Sequence, residues 1–301
     1  MNKLVFATRP SKLARWQTNH VISLLESHWP DLSCEEIVIT TKGDQILDRP
    51  LPEIGGKGLF TLELEEALRS GQVDAAVHSL KDLPTENSPG LVVGAIPPRA
   101  PVGDALVCPG GHSLADLPPG ALVGTSSLRR QAQLLAFRPD LKTASIRGNV
   151  ETRIRKAQEG QYDAILLAAA GLTRLGLEEY ISEYIPAEVI LPAPGQGALA
   201  IQMRADDENT GSYLTALEDR DCRLAVTAER AFLAELGGGC SIPVGAYAQV
   251  GPDQIYMRVV VASPDGSTVL QFEASHADPQ SLGKSLAEKA LAHGAREVLN
   301  V

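Results

Sequence analysis

A thiol behind three consecutive glycines, in Gly237-Gly238-Gly239-Cys240-Ser241-Ile242-Pro243, is the first group in this chain placed to do chemistry. Leu224 to Leu236 reads as a helix that stops at the glycines, and Pro243 to Val250 reads as a strand. Cys240 therefore falls on a tight loop with little side-chain cover. A lone cysteine more often packs as a small hydrophobe; what sets Cys240 apart is the company of other reactive groups elsewhere in the sequence. Those groups gather in short runs: Arg9 and Ser11, Ser79-Leu80-Lys81-Asp82, Thr125-Ser126-Ser127-Leu128-Arg129-Arg130, and Arg147-Gly148-Asn149 with Arg153 and Arg155 beyond it. Their sum is a locally basic cleft suited to an anionic ligand. Each run also has a plainer reading, the serines as helix caps, Lys81-Asp82 as an ion pair closing a turn, and Arg138 and Arg155 as solvated surface.

The elements that must position these groups follow from periodicity. Strands are expected at Leu4 to Thr8, Glu36 to Thr41, Asp74 to Ser79, Ala121 to Gly124, Thr143 to Ile146 and Asp163 to Ala168. Between them lie helices from Ser11, with Leu13, Trp16, His20 and Leu24 facing inward, and at Phe60 to Ser70, Ser127 to Phe137 and Asn149 to Gln158. Alternating strands and helices predict parallel sheets covered on both faces. Ligands bind such sheets beyond the carboxyl ends of the strands, where helix N-termini point, and the polar runs fall at those ends.

Two proline- and glycine-rich stretches, Pro97 to Gly103 and Pro192 to Gly197, read as paired crossings between two lobes, and two crossings make a hinge. The first lobe resumes after Gly197 with strand Ala198 to Met203. From Asp221 onward come strands Pro243 to Val250, Gln254 to Ala262 and Val269 to Ser275, then a helix from Gln280 to Val298, a small α+β domain. The expected domains are residues 1–98 with 198–218, residues 104–192, and residues 221–301. The polar connection over residues 42–60 reads as a lid.

Composition closes other routes. The net charge of -10 argues against nucleic acid or an anionic membrane as partner. No apolar run is long enough to span a bilayer, and the apolar stretch after Met1 is too short for a secretory signal, so a cytoplasmic location is expected. The four cysteines lie far apart without a Cys-x-x-Cys pair and the six histidines lack zinc-ligand spacing, so neither a disulfide framework nor a metal site is expected. Gly195-x-Gly197-x-x-Ala200, with Glu218 downstream, matches a dinucleotide fingerprint, but Pro192 and Pro194 break the strand that should precede it and Ala198 to Met203 reads as strand where a helix is required. A non-catalytic two-lobed anion-binding or sensor protein accounts for the hinge and the arginines, yet not for the third domain or Cys240.

Taken together, Arg9-x-Ser11-x-Leu13-Ala14-x-x-Gln17, Gly55-Gly56-Lys57-Gly58-Leu59-Phe60, Val77-His78-Ser79-Leu80-Lys81-Asp82-Leu83-Pro84, Gly124-Thr125-Ser126-Ser127-Leu128-Arg129-Arg130, Arg147-Gly148-Asn149, Pro194-Gly195-Gln196-Gly197 and the Cys240 loop resemble the porphobilinogen deaminase family, in the family's order over nearly the whole chain. The resemblance implies an α/β fold of two hinged lobes, similar to periplasmic binding proteins, with a small α+β C-terminal domain. It implies a transferase that condenses four porphobilinogen molecules head to tail into hydroxymethylbilane with release of ammonia. It also implies a dipyrromethane cofactor in thioether linkage to Cys240, and no metal.

By the same resemblance, Asp82 is the catalytic carboxylate that stabilises the electron-poor azafulvenium cation left by ammonia. Lys81, Asp82, Ser127, Arg129 and Arg130 would hold the cofactor. Arg9, Ser11, Thr125, Ser126, Arg147, Arg153, Arg174 and Gln196 would bind the acetate and propionate groups of substrate, for which guanidinium forks are suited. Porphobilinogen is the expected partner and the chain is expected to be a monomer.

Overall fold

The computed structural model describes residues 2–45, 59–237 and 242–299; Cys240 and most of the 42–60 connection lie outside them. The chain divides into two units at Ala100/Pro101, Gln196/Gly197 and Arg223/Leu224. In chain order the first ten strands are β1 (Asn2–Thr8), β2 (Leu32–Val38), β3 (Ala75–Ser79), β4 (Leu91–Ala95), β5 (Asp104–Val107), β6 (Leu122–Gly124), β7 (Lys142–Ala144), β8 (Ala164–Ala168), β9 (Glu183–Ile185) and β10 (Leu199–Arg204).

The first unit is built on a sheet of order β2-β1-β3-β10-β4. Strands β1, β2 and β3 are parallel, whereas β10 runs antiparallel to both β3 and β4. The helix Lys12–His28 follows β1 and starts at Ser11, whose hydroxyl accepts from Ala14 N at 3.2 Å. Its buried face is Ala14, Gln17, Thr18, Val21 and Leu25, one position away from the expected Leu13, Trp16, His20 and Leu24. Two buried polar residues, Gln17 and Thr18, disguise that face in the apolar pattern. Trp16 and His20 are exposed and stack on each other, with ring centroids 4.9 Å apart.

The second unit repeats the plan in a sheet of order β7-β6-β8-β5-β9. Here β6, β7 and β8 are parallel and β5 is antiparallel to β8 and β9. The expectation of all-parallel sheets is therefore corrected: each sheet is mixed. In each, the antiparallel member is the first strand after a crossing, and it brings its N-terminal residue to the carboxyl edge of its parallel neighbours. Leu199 of β10 pairs with Ser79, and Asp104 of β5 pairs with Ala168.

Also within the second unit, β11 (Val244–Val250), β12 (Ile255–Ala262) and β13 (Val269–His276) form an antiparallel sheet. It is packed by the helices Arg220–Glu235 and Pro279–Ala292 around Phe232, Met257, Val259, Leu282 and Leu286. The two helices approach so closely at Gly283 that an added Cβ would stand 2.4 Å from the Ala228 carbonyl oxygen. The single helix expected to reach Val298 is two, Pro279–Ala292 and Ala295–Leu299, because Gly294 takes φ 88° and ends the first.

Candidate active site

In the first unit the site residues follow the carboxyl ends of β1 and β3. Ser11 is a helix cap, and Arg9 lies between it and the strand. The Arg9 guanidinium pairs with Asp44, Nε to Oδ2 at 3.2 Å, and lies over the Phe60 ring at 4.2 Å from its centroid. Burial alone would raise the Asp44 carboxyl; hydrogen bonds and charge from Arg9, with Thr41 adding to them, hold it below the usual carboxylate range. After β3 the chain makes one 3-10 turn, Leu80–Asp82, which leaves Lys81 half-buried and Asp82 exposed. Both sides of that turn are fixed. Gln17 Nε2 donates to Ser79 Oγ at 2.9 Å, and Leu80 N donates to the Ala198 carbonyl at 3.0 Å. His78, one residue earlier, is buried with Nε2 lacking a hydrogen-bond partner among the described residues, and burial pushes its imidazole down to about 4.

In the second unit the site residues follow β6, β7 and β8. Ser127 caps the helix Leu128–Phe137 by accepting from Arg130 N, and Thr125 Oγ1 accepts from Ser127 N at 3.2 Å. Ser126 Oγ donates to the Ile146 carbonyl at 2.7 Å and accepts from Ile146 N at 3.1 Å, joining the loops after β6 and β7. Arg147 and Arg153 stand half-buried beside them, with Arg153 Nε on the Gly148 carbonyl at 2.8 Å. Arg174 closes the short helix after β8, and burial pushes its guanidinium down to about 10. Arg155 is exposed, as its plainer reading had it. Arg138, read as surface, instead ties the carbonyls of Leu114, Ala115 and Leu117.

The centre of this half is a residue the sequence reading missed. Asp104, fully buried at the head of β5, takes Arg129 Nη1 at 2.7 Å on one oxygen and Arg130 Nε and Nη2 at 3.0 and 2.7 Å on the other. Gln196 Nε2 also reaches Asp104 at 2.9 Å and the Val102 carbonyl at 2.7 Å, so Gln196 acts here as a strut. Burial by itself would raise the Asp104 carboxyl, but the two guanidiniums hold it far below the usual range. Two buried guanidiniums share one carboxylate, which leaves one positive charge of the trio unbalanced. Arg129 Nε is buried and has no hydrogen-bond partner among the described residues. An orphan donor beside an unbalanced cation suits a ligand carboxylate. The signal for Asp104 was an acidic residue opening the apolar run Ala105-Leu106-Val107 after a proline- and glycine-rich crossing.

The dinucleotide fingerprint has no role here. Glu218 is engaged by Ile96 N at 2.9 Å and by Arg223, and the segment after Gly197 is strand β10. A cavity of about 370 Å³ between Leu191, Val260 and Phe272 contains none of the expected site residues. No described helix is long and apolar enough to cross a membrane.

Residues 4–212 match the model of the porphobilinogen deaminase dipyrromethane cofactor-binding domain, and residues 223–292 match that of the porphobilinogen deaminase C-terminal domain. A porphobilinogen deaminase of Brevibacillus brevis is 52% identical over 300 residues, covering 99% of this chain and 97% of its relative. One from a Roseiflexus species is 52% identical over 297 residues, covering 98% of each. Among solved structures, the BvgS VFT2 domain of Bordetella pertussis matches with a TM-score of 0.44 and 19% identity over 71% of this chain and 86% of that one. The aliphatic sulphonate binding protein SsuA of Escherichia coli matches at 0.41 and 18% over 78% and 70%. The two family models between them take in both the sheet edges that carry the arginines and the helix and strands that flank Cys240: the chain belongs to the porphobilinogen deaminase family.

Proposed function

We propose that Asp82 is the catalytic carboxylate of this chain, and that Arg129 and Arg130, braced by Asp104, hold the carboxylates of its dipyrromethane. As a porphobilinogen deaminase the chain is a transferase of tetrapyrrole biosynthesis that joins porphobilinogen units into hydroxymethylbilane with loss of ammonia. When bound, the dipyrromethane supplies the primer on which the chain of pyrroles grows, and Cys240, outside the described residues, is its attachment point.

The observation that carries this reading is the Arg129–Asp104–Arg130 trio, whose unbalanced charge and orphan Nε call for an anion at that spot. Lys81 and Ser127 complete the cofactor contacts. Asp82, on a turn clamped at Ser79 and Leu80, presents a fixed negative charge to the cation formed when porphobilinogen loses ammonia, and it takes the proton released as the new carbon–carbon bond settles. Arg9, Ser11, Thr125, Ser126, Arg147, Arg153, Arg174 and Gln196 form the surrounding set for substrate carboxylates, Gln196 acting through Asp104. Arg9 exchanges its Asp44 partner for a ligand carboxylate as substrate arrives. The domains are residues 1–98 with 198–218, residues 104–192 and residues 221–301, in a cytoplasmic monomer.

Paired variants test the roles. Arg129→Lys keeps charge but loses the fork, so it is expected to purify without the covalent mass increment. Asp82→Asn is expected to lower turnover of porphobilinogen by roughly 10²-fold or more. A fully loaded Arg129→Lys together with near-normal turnover in Asp82→Asn would move both roles to other groups.

A further inference from the structure

Segment 191–196 is more than a crossing. On one side it holds the arginine trio: Arg129 Nη1 donates to the Leu191 carbonyl at 2.7 Å, and Gln196 braces Asp104. On the other side it holds the C-terminal sheet. Ala246 N of β11 donates to the Pro192 carbonyl at 2.9 Å, and β11 passes so near that a Cβ on Gly245 would stand 2.8 Å from the Leu191 carbonyl oxygen. The two sides are locked by Glu229. This carboxylate is fully buried on the helix Arg220–Glu235 and accepts from Gly195 N at 2.7 Å and from Ala248 N of β11 at 2.9 Å. In sequence, that helix enters the segment bearing Cys240 and β11 leaves it.

A buried carboxylate is costly unless its oxygens are met by donors. What the carboxylate does that an amide does not is accept from two N–H groups of two different segments at once, with charge-assisted bonds. We propose that Glu229 is a positioning residue for cofactor attachment: through the 191–196 strap it sets the elements flanking Cys240 in register with the Arg129–Arg130 pair. The proposal rests on the reading of Cys240 and the two arginines as the two anchors of one dipyrromethane. A ligand held at two points gains from anchors fixed in advance, and misplacement of one by an ångström slows attachment by orders of magnitude.

The test follows uptake of the covalent increment by intact mass after porphobilinogen is added to apoprotein made in cells that produce none. Glu229→Gln is expected to keep its secondary structure, to melt lower, and to load at least about 10-fold more slowly than wild type. Glu65→Gln is the control, an equally buried carboxylate in the first unit that accepts from Ser88 and Arg69; it is expected to melt lower and load at the wild-type rate. Loading of Glu229→Gln at the wild-type rate, or equal slowing in Glu65→Gln, would overturn the proposal. Should Glu229→Gln fail to fold, Glu229→Asp supplies the same comparison, with intermediate slowing expected and wild-type loading decisive against it. A wild type that takes up no increment, or an increment that survives Cys240→Ala, would instead overturn the two-anchor reading itself.

Discussion

His78 stands four residues before Asp82, and its burial gives the fold a pH dependence that can be read in solution. With the folded imidazole pushed down to about 4 against an ordinary value near 6.5, the unfolded chain binds a proton that the folded chain refuses. Its contribution to stability is therefore complete above about pH 6.5 and is lost at about 1.4 kcal/mol per pH unit as the pH falls toward 4. Between pH 7.5 and pH 5.0 the wild type should lose about 2 kcal/mol from this group, seen as a lower urea midpoint, and His78→Leu should show a flatter dependence. Equal slopes in the two proteins would show that another group titrates there. Asp104 acts in a different window. Its carboxyl is depressed, so its contribution is present above the ordinary carboxylate value and is lost only in stronger acid.

At the scale of elements, the short antiparallel strand β5 matters most, because its direction alone delivers Asp104 to the edge where Arg129 and Arg130 begin their helix. Asp104→Asn would leave two buried guanidiniums without a carboxylate and is expected to cost about 3–5 kcal/mol of stability, measured by denaturant unfolding. A loss below about 1 kcal/mol would mean that the pair is held by its carbonyl partners. Asp104 also marks where the sequence stopped being legible. Most of the parallel strands and the polar runs at their ends were readable, since alternation and capping residues are local signals, but β2 runs from Leu32 to Val38 where Glu36 to Thr41 was expected. Strands β4, β5 and β9 were not read, and the reversed direction of β5 and of β10, which long-range pairing sets, carries no local signal. Ser11 and Ser127 could be read both as caps and as ligand contacts, and both do cap helices, as does Asn149, for which no such reading was made. The face of the first helix was misread because Gln17 is buried to reach Ser79, a contact invisible to any apolar pattern. Asp44, the partner of Arg9, lies far from it in sequence and carried no signal of its own.

For the molecule as a whole, a chain with net charge -10 sets Arg9, Arg129, Arg130, Arg147 and Arg153 just beyond the carboxyl ends of strands in its two units. A product anchored at one end shifts its carboxylates with every addition, so Arg9, Arg147 and Arg153 are expected to serve different stages. Single Arg→Lys variants at these positions should stall with different numbers of attached pyrroles in mass ladders taken after limited porphobilinogen. One common ladder with uniformly weaker binding would mean that they act as a general electrostatic funnel.

The central claim is that Cys240 and the braced arginine pair together hold a covalent dipyrromethane. Intact mass of the purified protein tests it most directly: the wild type should exceed its sequence mass by two pyrrole units and Cys240→Ala should weigh what its sequence weighs, while an unmodified yet fully active wild type would contradict the account.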